Sequence, residues 1–116
     1  MENANQYLVS WEKEFNKDLK FIENEVITKQ ADGRYCKYST ALKAVVVTNM
    51  ERNAYIDYWS KLYSDKPQYM LDQIIEQCNK KLDEGLISND EMIDLITNSK
   101  DVKSEKVNAI KAIKGC

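Results

Sequence analysis

The stretch "TALKAVVVTNMERNAYIDYWSKLYSD", residues Thr40 to Asp65, decides how the rest of the chain is read. Ala41, Ala44 and Ala54 with Leu42, Val45, Val46, Met50, Tyr55, Tyr58, Trp59 and Leu62 recur at helical spacing. Against that stands the run Ala44–Val47, where β-branched side chains favour a short buried strand, though weakly. The spacing predicts one helix, or two parted near Thr48–Asn49, over about residues 40–63.

Toward the N-terminus, Tyr7, Leu8, Trp11, Phe15, Leu19, Ile22 and Val26 follow one another in steps that place all of them on one stripe. This predicts a long helix over about residues 5–29, closed by "QADGR", where Gly33 can take the left-handed cap. Toward the C-terminus, Ser64-Asp65-Lys66-Pro67 marks a boundary, with proline suited to a first helical turn and Ser64 or Asp65 available as a cap. Met70, Leu71, Ile74, Ile75, Cys78 and Leu82 then make one apolar face of a helix over about 66–84, stopped by Gly85. Ser88 and Glu91 form an S-x-x-E capping box, and Ile87 is placed to pack on Met92 as its staple. A short helix over about 89–97 and a last one over about 102–114, carrying Val102, Ala109, Ile110 and Ile113, complete the chain.

Composition agrees with helices. The 116 residues are 43% hydrophobic and 31% charged, with 3 glycines and 1 proline, too few turn residues for a sandwich or barrel. The expected fold is therefore all-α: a single domain over 1–116, a compact array of five or six helices with short connections and a capped hairpin in the C-terminal half.

Much chemistry is excluded. There is no histidine, hence no Ser-His or Cys-His nucleophile and no usual zinc ligand. Three separated cysteines (Cys36, Cys78 and Cys116) suggest reduced thiols in a cytoplasmic protein, not a disulfide framework, and Cys78 falls within an apolar face. No glycine-rich phosphate cradle occurs, the segment "MENANQYLVSWEKEF" lacks a leader pattern, and "AVVV" is far short of a bilayer span. Calcium fails on spacing: with Gly85 and Glu91 at the sixth and twelfth loop positions, Lys80 and Leu82 occupy the first and third, where carboxylates are required. The expectation is a non-enzyme with no cofactor, no metal and no membrane span.

The segment "LDEGLISNDEMIDLI", Leu82–Ile96, is similar to the short two-helix module found at the C-termini of many bacterial proteins, with its pattern helix, G-x-I-[ST]-x-x-E, helix. The resemblance covers about fifteen residues and implies no activity.

Partner binding is the function class left. Arg34, Tyr35, Lys37 and Tyr38 interleave cations and rings between the first two expected helices, and Tyr and Arg are common interface anchors. In the run Tyr55, Tyr58, Trp59, Tyr63, three rings share a face while Tyr58 points about a quarter-turn away, so one ring is expected at the surface. The candidate partner-binding residues are Arg34, Tyr35, Lys37, Tyr38, Tyr58, Trp59 and Tyr63. They suit a protein partner or self-association, as in an inhibitor, adaptor or assembly component of viral or bacterial type. The alternative is a nucleic-acid binder using the Arg34–Tyr38 segment and Lys103, Lys106, Lys111 and Lys114 of the last helix. Net charge divides unevenly: residues 65–97 carry three Lys/Arg against eight Asp/Glu, and 99–116 carry five against two. That balance favours protein over nucleic acid.

Overall fold

A computed structural model describes the backbone of residues 4–115 and the side chains from Trp11 to Gly115. The stripe members Tyr7 and Leu8 and the thiol of Cys116 lie outside the described side chains. The order of elements is α1 (Ala4–Asn24), β1 (Val26–Lys29), β2 (Tyr35–Ser39), β3 (Ala44–Met50), α2 (Arg52–Leu62), α3 (Gln68–Glu84), α4 (Asn89–Thr97) and α5 (Lys103–Lys114). The domain is thus α+β, and the all-α, helical-bundle expectation is corrected: the described residues form five helices and a three-stranded antiparallel sheet in the order β1-β2-β3.

The correction has two local causes. Residues 26–29 were expected to continue the first helix, but Val26, Ile27 and Thr28 are successive β-branched residues and the chain extends after Asn24. Gly33 (φ 91°) closes a β-hairpin instead of a helix. In that turn Gln30 N donates to Arg34 O (2.7 Å), and Asp32 Oδ1 accepts from Arg34 N (2.9 Å). The expected helix over 40–63 divides at Glu51 into strand and helix. Strand β3 contains two irregularities: from Tyr35↔Met50 to Lys37↔Val47 it spends three residues against two on β2, and from Lys37↔Val47 to Tyr38↔Val45 two against one. Each is a bulge. The bulge at Asn49 (φ 59°) is held by buried Gln30, whose Oε1 accepts from Asn49 N (2.7 Å) and whose Nε2 donates to Asn49 Oδ1 (2.9 Å).

The sheet is the middle layer. Alternation along β1 and β2 sends Ile27 and Tyr35 into one core with Phe15, Ile22, Tyr55, Trp59, Ile74 and Leu82 of α1–α3. Cys36 and Tyr38 enter a second core with Met92, Ile96, Ala109 and Ile113 of α4–α5. Strand β2 is covered on both faces, and so "YCKY" reads as nearly continuous apolar bulk. Helix α1 meets α2 through Phe15 against Tyr63 (ring centroids 5.8 Å apart) and α3 through Lys81, whose Nζ donates to Glu23 O (2.8 Å). That ammonium occupies one of the carbonyls left free at the end of α1. Burial lowers the Lys81 pKa, an effect the nearby Glu25 and Glu23 oppose.

The C-terminal half follows the sequence reading closely. Ser88 caps α4 by accepting from Glu91 N (3.1 Å), and Ile87 packs beside Met92 in the second core. The expected Ser64 or Asp65 cap of α3 does not form; Pro67 stands at the N-cap with no side-chain bond, and Asp65 pairs with Lys66 (2.9 Å). Gly115 (φ 79°) ends α5 beneath the β1–β2 turn, where Ala31 N donates to Ile113 O (3.0 Å).

Candidate protein-interaction surface

The candidate residues do not form one surface. Tyr35, Tyr38, Trp59 and Tyr63 are buried, and the segment expected as a loop is strand β2. These four rings are core, because two helical layers cover β2 and α2 faces α1 and α3. Tyr63 Oη donates to Asp18 Oδ2 (2.7 Å), while Trp59 Nε1 is buried without a hydrogen-bond partner. Arg34 is paired with Asp32 (2.8 Å) and Lys37 with Glu25 (2.9 Å). Of the seven, Tyr58 alone presents a ring to solvent, 60% exposed.

Sequence reasoning missed Tyr58's exposed neighbours. Phe21 (58% exposed) on α1, with Leu42 (67%) and Val46 (49%) on the β2–β3 hairpin, line a groove of about 340 Å³ between the end of α1 and the hairpin. Phe21 lies against Trp59 (6.0 Å), and Tyr58 meets the same indole edge-on (5.6 Å). Leu62, one turn beyond Tyr58, is 47% exposed. Phe21, Leu42 and Val46 thus share one groove, and Tyr58 meets the same indole as Phe21 from the α2 side. Phe21 was detectable in the sequence: it is a lone large ring among Lys17, Lys20 and Asn24, off the buried stripe. Leu42 and Val46 were hidden by the helical reading of their segment.

The groove has a polar floor. The Glu25 side chain, 5% exposed, accepts from Tyr55 Oη at Oε1 (2.5 Å) and pairs through Oε2 with Lys37 Nζ. The Lys37 ammonium also lies over the Tyr55 ring, 5.8 Å from its centroid. Burial, and then the hydrogen bond to Glu25, raise the Tyr55 pKa far above the ordinary phenol value. A phenol so strongly held in its neutral form is a poor proton donor to substrate, and the cluster reads as a structural clasp.

Other chemistry is not assembled. Burial pushes the Cys36 thiol up to about 11 and that of Cys78 up to about 12, the reverse of an activated nucleophile. Among the described residues no three acidic or cysteine side chains gather as a metal site, and no helix is long and apolar enough to cross a membrane. Strand pairing with a partner is obstructed at both sheet edges. Ile87 N donates to Ile27 O along β1 (3.0 Å), and at β3 Asp101 Oδ2 takes Val45 N (2.9 Å), with bulges beyond. For nucleic acid, Arg34 and Lys37 are already neutralised, and Lys106 Nζ is engaged by Thr97 O (2.9 Å), which leaves Lys103, Lys111 and Lys114 exposed on α5.

Comparisons with protein-family models, with curated proteins and with solved structures found no match.

Proposed function

We propose that the chain is a non-enzymatic protein-binding domain that acts as an adaptor, inhibitor or assembly component, and that it binds through the Phe21–Leu42–Val46 groove and the nearby ring of Tyr58. The observation that carries this reading is the grouping of Phe21, Leu42 and Val46, each 49–67% exposed, around one groove, with the 60% exposed ring of Tyr58 against the same indole as Phe21. Scattered surface apolar residues are ordinary, whereas a contiguous patch of several hundred Å² is commonly an interaction site. The two charged residues that line the groove, Glu25 and Lys37, are paired with one another.

The test is site-directed photocrosslinking. A benzoyl-phenylalanine at Tyr58, introduced in the cells that make the protein, should give a discrete protein adduct on irradiation, and the same probe at Lys111 on α5 should not. Absence of an adduct from Tyr58, or equal adducts from both sites, would remove the reading.

A further inference from the structure

We propose that a second cleft, on the α4 side of the sheet, binds an aliphatic cation: the ammonium or guanidinium end of a carbon chain. The cleft holds about 330 Å³ and is lined by Tyr38 of β2 and by Glu91, Asp94, Leu95 and Asn98 of α4 and its C-cap. The site does not depend on the protein-binding groove.

Helical spacing builds one wall. Residues 91, 94, 95 and 98 recur in steps of three and four, so their side chains share a face of α4. Alternation along β2 sends Tyr38 toward that helix, where its ring packs with Met92 and Ile96 in the second core and ends at the cleft. The side chain is more than nine-tenths buried (7% exposed), yet its hydroxyl has no hydrogen-bond partner among the described residues. A buried tyrosine hydroxyl ordinarily finds one. Among the described residues Trp59 Nε1 is the one side-chain group both sealed from solvent and unpartnered, so the Tyr38 hydroxyl is reached from the cleft.

The polar groups around that hydroxyl are left as acceptors. Asn98 Nδ2 donates to Asp94 O (2.9 Å), which uses the donor end of the amide and leaves its oxygen. Glu91 Oε1 accepts from Ser88 Oγ (3.2 Å), which leaves Oε2. The Asp94 carboxylate has no partner among the described residues, and no cation is among the residues that line the cleft. Asp94 also stands in the second half of a nine-residue helix with no basic residue in its last turn. The free carbonyls at such an end favour a positive charge and disfavour a carboxylate. Lys106, which reaches this end, is bonded to Thr97 O (2.9 Å) and does not line the cleft. A bound cation answers the carboxylates, the Asn98 oxygen and the helix end together.

The rest of the wall selects the kind of cation. A hard divalent ion takes about six or more oxygen ligands, a poor match to two carboxylates beside Leu95 and a tyrosine ring. A carbon chain suits those apolar surfaces while its charged end meets the acceptors, as lysine and arginine stems do elsewhere. A basic side chain of another protein and a free polyamine both present this chemistry.

Titration of the isotope-labelled full chain, followed by amide NMR shifts at low salt, tests the site. The probes are a blocked alanyl-arginyl-alanine peptide, the same peptide with citrulline, and spermidine. Saturable shifts over Glu91–Asn98 are expected with a cationic probe and not with citrulline, which keeps the shape of arginine and lacks its charge. Saturation by the peptide alone assigns the cation to a protein side chain; saturation by spermidine alone assigns it to a polyamine. Asp94→Asn should weaken binding about tenfold and Tyr38→Phe about threefold. Asp94 is exposed and phenylalanine keeps the Tyr38 ring, so both variants should retain the dispersed spectrum of the folded chain. Asp90→Asn, which removes an exposed carboxylate of α4 outside the cleft, should leave binding within about twofold. Three results overturn the inference: no saturation with either cation, a citrulline peptide that binds as well as arginine, or equal losses from Asp90→Asn and Asp94→Asn with none from Tyr38→Phe. The last would reduce the effect to the general field of an acidic helix.

Discussion

Replacing Lys37 by methionine isolates the clasp beneath the groove. The substitution keeps most of the aliphatic stem and deletes the ammonium that lies over the Tyr55 ring and 2.9 Å from Glu25. What remains is a carboxylate whose side chain is 5% exposed and which accepts from Tyr55 Oη. Removing one partner of a fully buried ion pair costs about 3–5 kcal/mol. Here the Lys37 side chain is 21% exposed, so water replaces part of the lost interaction, and the expected cost falls to about 2–3 kcal/mol. Adding Glu25→Gln removes the stranded charge while leaving an amide oxygen to accept from Tyr55. The double variant should therefore recover to within about 1 kcal/mol of the unaltered chain, a recovery of about 1–2 kcal/mol relative to Lys37→Met. Urea unfolding followed by tryptophan fluorescence measures all three, and the midpoint should move with an unchanged slope. If Lys37→Met shifts stability by less than about 0.5 kcal/mol, or if the double variant loses the sum of the two singles, the carboxylate is not held as described.

Two further outcomes concern the α4 cap and the buried thiols. Ser88→Ala deletes the acceptor for Glu91 N and should lower stability by about 1 kcal/mol, as measured by urea unfolding; no loss would mean that the cap is idle. In a Cys116→Ser background, Cys36 and Cys78 should resist a disulfide reagent at pH 8 until the chain is unfolded. Their folded pKa values, about 11 and about 12, lie above the ordinary thiol value of 9.0. Their contribution to stability is thus intact below about pH 9 and lost as pH rises from there toward 12, so Tm should fall across that window.

The fold was legible wherever side-chain period and end signals agreed. Helix α4 occupies Asn89–Thr97, the span its capping box marks, and α3 and α5 lie within two residues of expectation. Strand β3 misled because its bulges alter the period. In Ala44–Met50 the exposed positions are Val46 and Asn49, three apart, with half-buried residues between and around them. An unbroken strand alternates every second residue; a strand with an extra residue inserted twice imitates the three-to-four spacing of a helix. Strand β1 misled differently, since Val26 stands four beyond Ile22 and falls on the α1 stripe by coincidence. The stronger signal was the pair Asp32-Gly33 between two runs rich in β-branched and aromatic residues, which is hairpin chemistry.

The same error displaced the candidate site. Tyrosines and cations on an imagined loop looked available for binding; on β2, between two helical layers, Tyr35 and Tyr38 are structural and Lys37 is turned to Glu25. Tyr58 could be picked out because its angle on α2 does not depend on the sheet: 100° per residue separates it from Tyr55 and Trp59 whatever that face packs on. Its neighbours could not, since Leu42 and Val46 reach the groove only through the hairpin. A helix over 40–63 would have spread these apolar side chains around a cylinder. The hairpin folds two of them back beside Phe21, and the bulge between Lys37 and Tyr38 turns Val46 outward. The irregularity that hid the strand from its sequence is therefore what gives the surface one of its apolar walls. Deleting Val46 should remove that bulge and close the wall while the bulge at Asn49 and the two cores remain, and the crosslink from Tyr58 should weaken with it.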